Sequence, residues 1–172
     1  MLQIGDVIIV KRFGNPISEA ITVWSKMFSH VEPVIDANGS TVEATVPKIR
    51  FGHISNYFQG KHRVAVLRPA IPLNDDERRK FVITACDMVG RWYDVWSLIG
   101  HVINKRLQKA EYYNCAELTL QCFKSIGRLT QLPIDIIKPS HFFVLACGGF
   151  FRTVFYKVRP TKIDYEKLMM EV

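Results

Sequence analysis

The chain has 172 residues, 48% of them hydrophobic and 23% charged, the make-up of one soluble globular domain, which excludes a disordered or fibrous chain. Lysine and arginine outnumber aspartate and glutamate by 23 to 16, so the net charge of +7 suits an anionic surface as partner, although a solvated basic face is the simpler reading. Specific nucleic-acid binding finds no support: the sequence has no basic run interleaved with aromatics and no helix-turn-helix, zinc-finger or RNP pattern.

The first element is the β-branched run Val7-Ile8-Ile9-Val10 after Gly5-Asp6, which reads as a buried strand. Residues 16–27 read as a turn and a short helix with Ile17, Ile21 and Trp24 on one face. Segments 30–36 and 41–46 flank Asn38-Gly39, a strong hairpin signal, and a two-residue turn there sets Val34 opposite Glu43. Pro33 removes a ladder donor, which puts its strand at an edge or a bulge. A weak strand at 49–53 and a clear one at 63–67 follow, the second ended by Arg68-Pro69. Asn74-Asp75-Asp76-Glu77 is a capping-box start for a helix running to about Val89 and stopped by Gly90, with Phe81, Val82, Ala85, Met88 and Val89 as its core stripe. Residues 93–103 are aromatic and apolar and read as helical, and the basic stretch 104–109 leads to a helix beginning at Cys115. That helix carries Leu118, Thr119, Cys122, Phe123 and Ile126 on one side and ends at Gly127. Pro133 and Pro139 bracket a loop, Pro139-Ser140-His141 opens another helical segment, and the apolar run 142–151 is too short to span a bilayer and reads as buried. Residues 151–158 alternate as a last strand, and no repeat or linker divides the chain.

The chemistry centres on Tyr113-Asn114-Cys115-Ala116-Glu117-Leu118, where a loop meets a helix. A cysteine in a first helical turn faces unpaired N–H groups and the positive end of the macrodipole, which favour thiolate over thiol. His30 is the candidate base and Glu43 the candidate orienting carboxylate, with the backbone N–H of Cys115 as one oxyanion donor. His53, His62, His101 and His141 compete for the base, and Asp36 and Glu32 compete with Glu43. Glu117 lies two residues from Cys115 on another helix face and reads as a partner for nearby backbone. The other cysteines, Cys86, Cys122 and Cys147, form no C-x-x-C pair and have no histidine at ligand spacing, so a structural zinc site is not expected. Free thiols and an N-terminus without a signal-peptide pattern point to a cytoplasmic location.

The chain resembles the circularly permuted papain-like hydrolases of the YiiX/YebB-like branch, related to the NlpC-type cell-wall peptidases. The resemblance rests on Gly5-Asp6-Val7-Ile8, Ser29-His30-Val31, Val42-Glu43-Ala44, Gly90-Arg91-Trp92-Tyr93-Asp94, the Cys115 segment and Pro139-Ser140, in the family's order over nearly the whole chain. It implies one α+β domain over residues 1–172, an antiparallel sheet packed against helices that include the nucleophile helix. It also implies Cys115 as nucleophile, His30 as base, Glu43 as third member and Tyr93 near the oxyanion or substrate. The implied reaction is hydrolysis of an amide through an acyl-enzyme, on a peptide or acylated amide of cell-wall or lipid origin, with no metal or organic cofactor. A lipid acyl hydrolase or acyltransferase and an inactive interaction domain are the competing readings. Glu32-Pro33 stands where the family often has a small-apolar pair, and Ala116 where it often has serine.

Overall fold

The computed structural model describes residues 1–13, 28–94 and 112–170. β1 (Val7–Arg12) lies inside a four-stranded antiparallel sheet, flanked by β2 (His30–Pro33) on one side and by β5 (His62–Pro69) and then β6 (Phe151–Val158) on the other. β3 (Ser40–Ala44) and β4 (Ile49–His53) form a separate antiparallel pair. Side chains alternate across a strand, and here both faces of the main sheet are covered. Val7, Ile9, Val31, Ala65 and Leu67 enter a core shared with the helices, while Ile8, Val10, Val64 and Val66 enter a second core with Tyr57 and Phe58. The run at 7–10 is therefore apolar at every position, and all four residues are fully buried.

Four helices complete the described fold: α1 (Asp75–Asp87), α2 (Cys115–Ser125), α3 (Pro139–Cys147) and α4 (Lys162–Met170). α1 starts on the expected capping box, Asn74 with Glu77, and Glu77 also takes Nε and Nη2 of Arg128 at 2.9 and 2.7 Å, which ties the start of α1 to the end of α2. Its stripe is narrower than expected, with Phe81, Ala85 and Met88 buried and Val82 and Val89 only half-buried. Phe81, Phe123 and Phe151 stack in edge contacts at 5.1 and 5.4 Å, joining α1, α2 and β6. Of the run at 142–151, expected to be buried, Phe142 and Phe151 are buried but Val144 and Phe150 are exposed, so the run is only partly covered.

The segments around Asn38-Gly39 differ from a two-residue hairpin. Asp36 Oδ1 accepts from the Ser40 N–H at 2.9 Å, and the Ile35 N–H donates to the Ser40 carbonyl at 2.9 Å, so the loop takes in residues 36–39. Gly39 has φ +96°, and a Cβ on it would sit 2.6 Å from Ile54, so the turn depends on glycine there. Val34 consequently opposes Thr41 rather than Glu43. Beyond that rung the strands part, β2 pairing with β1 and β3 with β4. Pro33 sits opposite Val7 on the edge strand β2, where a missing donor costs no ladder bond on the open side.

Tyr93 does not open a helix: its N–H donates to the Pro47 carbonyl at 3.0 Å, and it bridges Tyr113 in parallel register. The helix expected at 16–27, residues 95–103 of the segment at 93–103 and the basic stretch 104–109 lie outside the described residues, as does His101. α4 follows the strand at 151–158, so that strand is not the last element. Its sequence signal is Thr161-Lys162-Ile163-Asp164, where the Asp164 carboxylate accepts the Thr161 N–H and hydroxyl, each at 2.8 Å. No helix among the described residues is long and apolar enough to cross a membrane.

Candidate active site

Cys115 is the first residue of α2 and is buried. Asn114 caps the helix, its Oδ1 accepting from the N–H groups of Ala116 at 2.9 Å and Glu117 at 3.0 Å, while Glu117 Oε2 accepts the Asn114 N–H at 2.8 Å. Glu117 is thus a capping residue, as its helix face suggests, and the cap fixes the direction in which the chain enters at Cys115.

α2 packs against β2, and His30 opens that strand. Period-two alternation puts Glu32 on the same face as His30, opposite Ile8 and Val10. Nε2 of His30 meets Oε1 of Glu32 at 2.7 Å. Burial alone would lower the imidazole pKa, but hydrogen bonding and charge from Cys115 and Glu32 outweigh it and raise His30 from 6.5 to about 9. Burial likewise favours the neutral acid of Glu32, and donors from His30, Thr41 and Tyr57 overcome it, holding the carboxylate below its ordinary value. Thr41 Oγ1 donates to Glu32 Oε2 at 2.7 Å, and the Tyr57 hydroxyl donates to Oε1, the oxygen that also faces His30.

Glu43 lies one step further from the imidazole, its Oε2 at 4.0 Å from His30 Nε2. Cations hold it: Arg50 Nε donates to Oε1 at 2.6 Å, and Arg12 Nη2 lies 3.6 Å from Oε2. The structure therefore brings Cys115, His30 and Glu43 into one neighbourhood and sets Glu32 between the imidazole and the rest of the polar cluster. His30, Glu32 and Glu43 offer atoms within 4.8 Å of one another. Burial pushes the Tyr93 hydroxyl well above its usual pKa, and negative charge on Cys115 and Glu117 adds to the shift, so the phenol remains a proton donor near the thiol.

Of the competing groups, Glu32 joins the site and His62 packs edge-on against Tyr57 at 5.4 Å, while His53, His141 and Asp36 are used elsewhere. His53 bonds Ser55 Oγ at 2.7 Å and the Asn38 carbonyl at 3.0 Å, and His141 Nδ1 accepts the Lys138 N–H at 3.2 Å. Asp36 caps its own loop. Sequence reasoning missed Thr41, Tyr57 and Arg12. Thr41 has a signal, since it faces the same side as Glu43 two residues on, but Tyr57 and Arg12 come from a 3-10 turn (Ile54–Tyr57) and the end of β1, and no local pattern marks them.

These features define an α+β protein with a buried histidine on a sheet edge beside a cysteine at a helix start. No family model matches the chain, and no curated protein does. Among solved structures it is similar to one titled "Crystal structure of metalloprotein yiiX from Escherichia coli O157:H7, DUF1105", with a TM-score of 0.68 and 16% identity over 90% of this chain and 97% of that one. The chain has a YiiX-like fold.

Proposed function

We propose that the chain is a cysteine hydrolase of the permuted papain-like type, acting on an amide. The observation that carries the reading is the line Cys115, His30, Glu32, with the nucleophile on a capped helix start and the imidazole held by a buried carboxylate. The thiolate attacks the carbonyl carbon, and the imidazolium of His30 gives its proton to the departing amine, leaving a thioester on Cys115. Water then attacks the thioester, His30 takes its proton, and the acid and the thiol are released. Glu32 stays ionised throughout and fixes the ring so that Nε2 is engaged and Nδ1 is left for the thiol and substrate. The N–H groups of Ala116 and Glu117 are taken by Asn114, which leaves the Cys115 N–H and the Tyr93 hydroxyl as oxyanion donors.

Glu43 serves in this reading as a second carboxylate behind Glu32. The substrate is a peptide or acylated amide of cell-wall or lipid origin, and the basic surface suits an anionic setting. The acyl-lipid alternative calls for an apolar channel beside the thiol. An apolar cavity of about 540 Å³ does open between Pro69, Phe123, Leu129 and Phe151. It meets α2 at Phe123, about 12 Å along the axis from Cys115, so it does not favour that alternative.

The yiiX protein bears the name metalloprotein, but His30, Glu32 and Glu43 do not fit a divalent cation here. Two guanidiniums and an imidazolium already face the two carboxylates, and Thr41 and Tyr57 take up further acceptor positions on Glu32. No step of the reaction is routed through a metal.

An activated ester, p-nitrophenyl acetate, tests the reading. The expected result is a burst of nitrophenol with one acetyl group on Cys115 by peptide mass spectrometry, absent in Cys115→Ser. A burst that survives in Cys115→Ser would overturn the assignment.

A further inference from the structure

Two carboxylates compete for one imidazole in this site, and a tyrosine hydroxyl stands between them. Tyr57 is almost wholly buried. Its oxygen accepts from Arg12 Nη2 at 3.1 Å, its hydroxyl donates to Glu32 Oε1, and Glu43 Oε2 is 3.5 Å away. A phenol has one proton to give, and Arg12 occupies its lone-pair side, so the O–H points to a carboxylate. Among the described residues, Arg12 and Arg50 hold Glu43, whereas Glu32 takes hydrogen bonds from the uncharged donors Thr41 and Tyr57 beside His30, with the charge of Arg12 nearby.

We propose that Tyr57 is a positioning residue: with Arg12 behind it, its hydroxyl keeps Glu32 ionised and makes Glu32, rather than Glu43, the partner of His30. The assignment deepens the hydrolase reading, and rests on it for its catalytic meaning. Glu32 is fully buried, and a buried carboxylate that loses a donor takes up a proton more readily. Burial and the negative charge of Glu32 hold the Tyr57 phenol well above its usual pKa, so it donates across the working range. The groups facing this centre are His30 and Cys115 from β2 and α2, Thr41 and Glu43 from β3, Arg50 from β4, Arg12 from β1, and His62, whose ring meets Tyr57 edge-on at 5.4 Å.

Tyr57→Phe isolates the hydroxyl, because the ring keeps its contacts with His30, His62 and Arg12. The experiment is a pH titration of the Glu32 carboxyl carbon by NMR, assigned with Glu32→Gln, in wild type, Tyr57→Phe and Arg12→Gln. The step should move to higher pH by about one unit, tenfold in proton affinity, in Tyr57→Phe and by less in Arg12→Gln, with circular dichroism unchanged. An unmoved Glu32 step in a folded Tyr57→Phe protein would overturn the proposal, and if that variant does not fold, an unmoved step in Arg12→Gln does so. Iodoacetamide alkylation of Cys115 on the same samples separates the two readings. An ordinary thiol with a shifted Glu32 step removes the hydrolase and keeps Tyr57 as the group that ionises Glu32, whereas an activated thiol with an unmoved step does the reverse.

Discussion

At the scale of the residue, His30 is governed by which carboxylate reaches it. Oε1 of Glu32 is 2.7 Å from Nε2 and Oε2 of Glu43 is 4.0 Å away, with two guanidiniums beside it. Coulombic attraction falls with distance and with neighbouring cations, so of the two carboxylates Glu32 gives the imidazolium more support, beside that of Cys115. The His30 titration midpoint, about 9 in the wild type, should fall by a unit or more in Glu32→Gln and by much less in Glu43→Gln, read from imidazole resonances by NMR. Equal falls in the two variants would count against the ordering. Cys115, His30 and Glu43 are legible in the sequence because each sits in a short motif, and Glu32 ranks there as a competitor to Glu43. Its priority was not legible, since it depends on a loop length that moves Thr41 opposite Val34.

At the scale of the element, the β3–β4 pair is the floor on which Glu43 and Thr41 stand. Gly52 faces Thr41 in that register, and a Cβ there would come within 2.8 Å of Thr41 Oγ1 and 3.3 Å of Glu43 Cγ. Gly52→Ala should push the Thr41 hydroxyl off Glu32 and cost about 1–3 kcal/mol in urea unfolding, the usual range for overpacking. A variant as stable as the wild type, with an unmoved His30 midpoint, would contradict the packing. Strands and helices with strong local signals were readable: the capping box at Asn74, the buried run at 7–10 and the helix that starts at Cys115 all form. The hairpin was less so, because Asn38-Gly39 suits a two-residue turn while the Asp36 carboxylate, in capping Ser40, starts the loop earlier.

At the scale of the whole molecule, burial on both faces of the sheet requires the charged groups inside it to be paired. Asp6, fully buried, is held by a bidentate Arg68 at 2.9 and 2.8 Å, which pins the start of β1 to the end of β5. His30, between Cys115 and Glu32, adds a pH window. His30 is raised above its ordinary 6.5, so its contribution to stability is complete below about 6.5 and is lost as pH rises through about 9. Glu32 is lowered below its ordinary 4.5, so its contribution is present above 4.5 and is lost as pH falls through the depressed value. The urea midpoint of the wild type should therefore fall between pH 6.5 and 9.5 more steeply than that of His30→Gln, and parallel slopes would exclude His30 as the cause. The first strand of the sheet was readable from its β-branched run and the last from alternation at 151–158, but the strand order was not, since the partner of each strand is decided by packing between segments far apart in the chain.

The central claim is that His30 activates Cys115, and the most direct measurement is the alkylation rate of each cysteine by iodoacetamide across pH, read by peptide mass spectrometry in the wild type and in His30→Ala. Cys115 should react faster at neutral pH than Cys86, Cys122 and Cys147, and that advantage should disappear without His30. A Cys115 that behaves in both proteins like an ordinary or inaccessible thiol would contradict the claim.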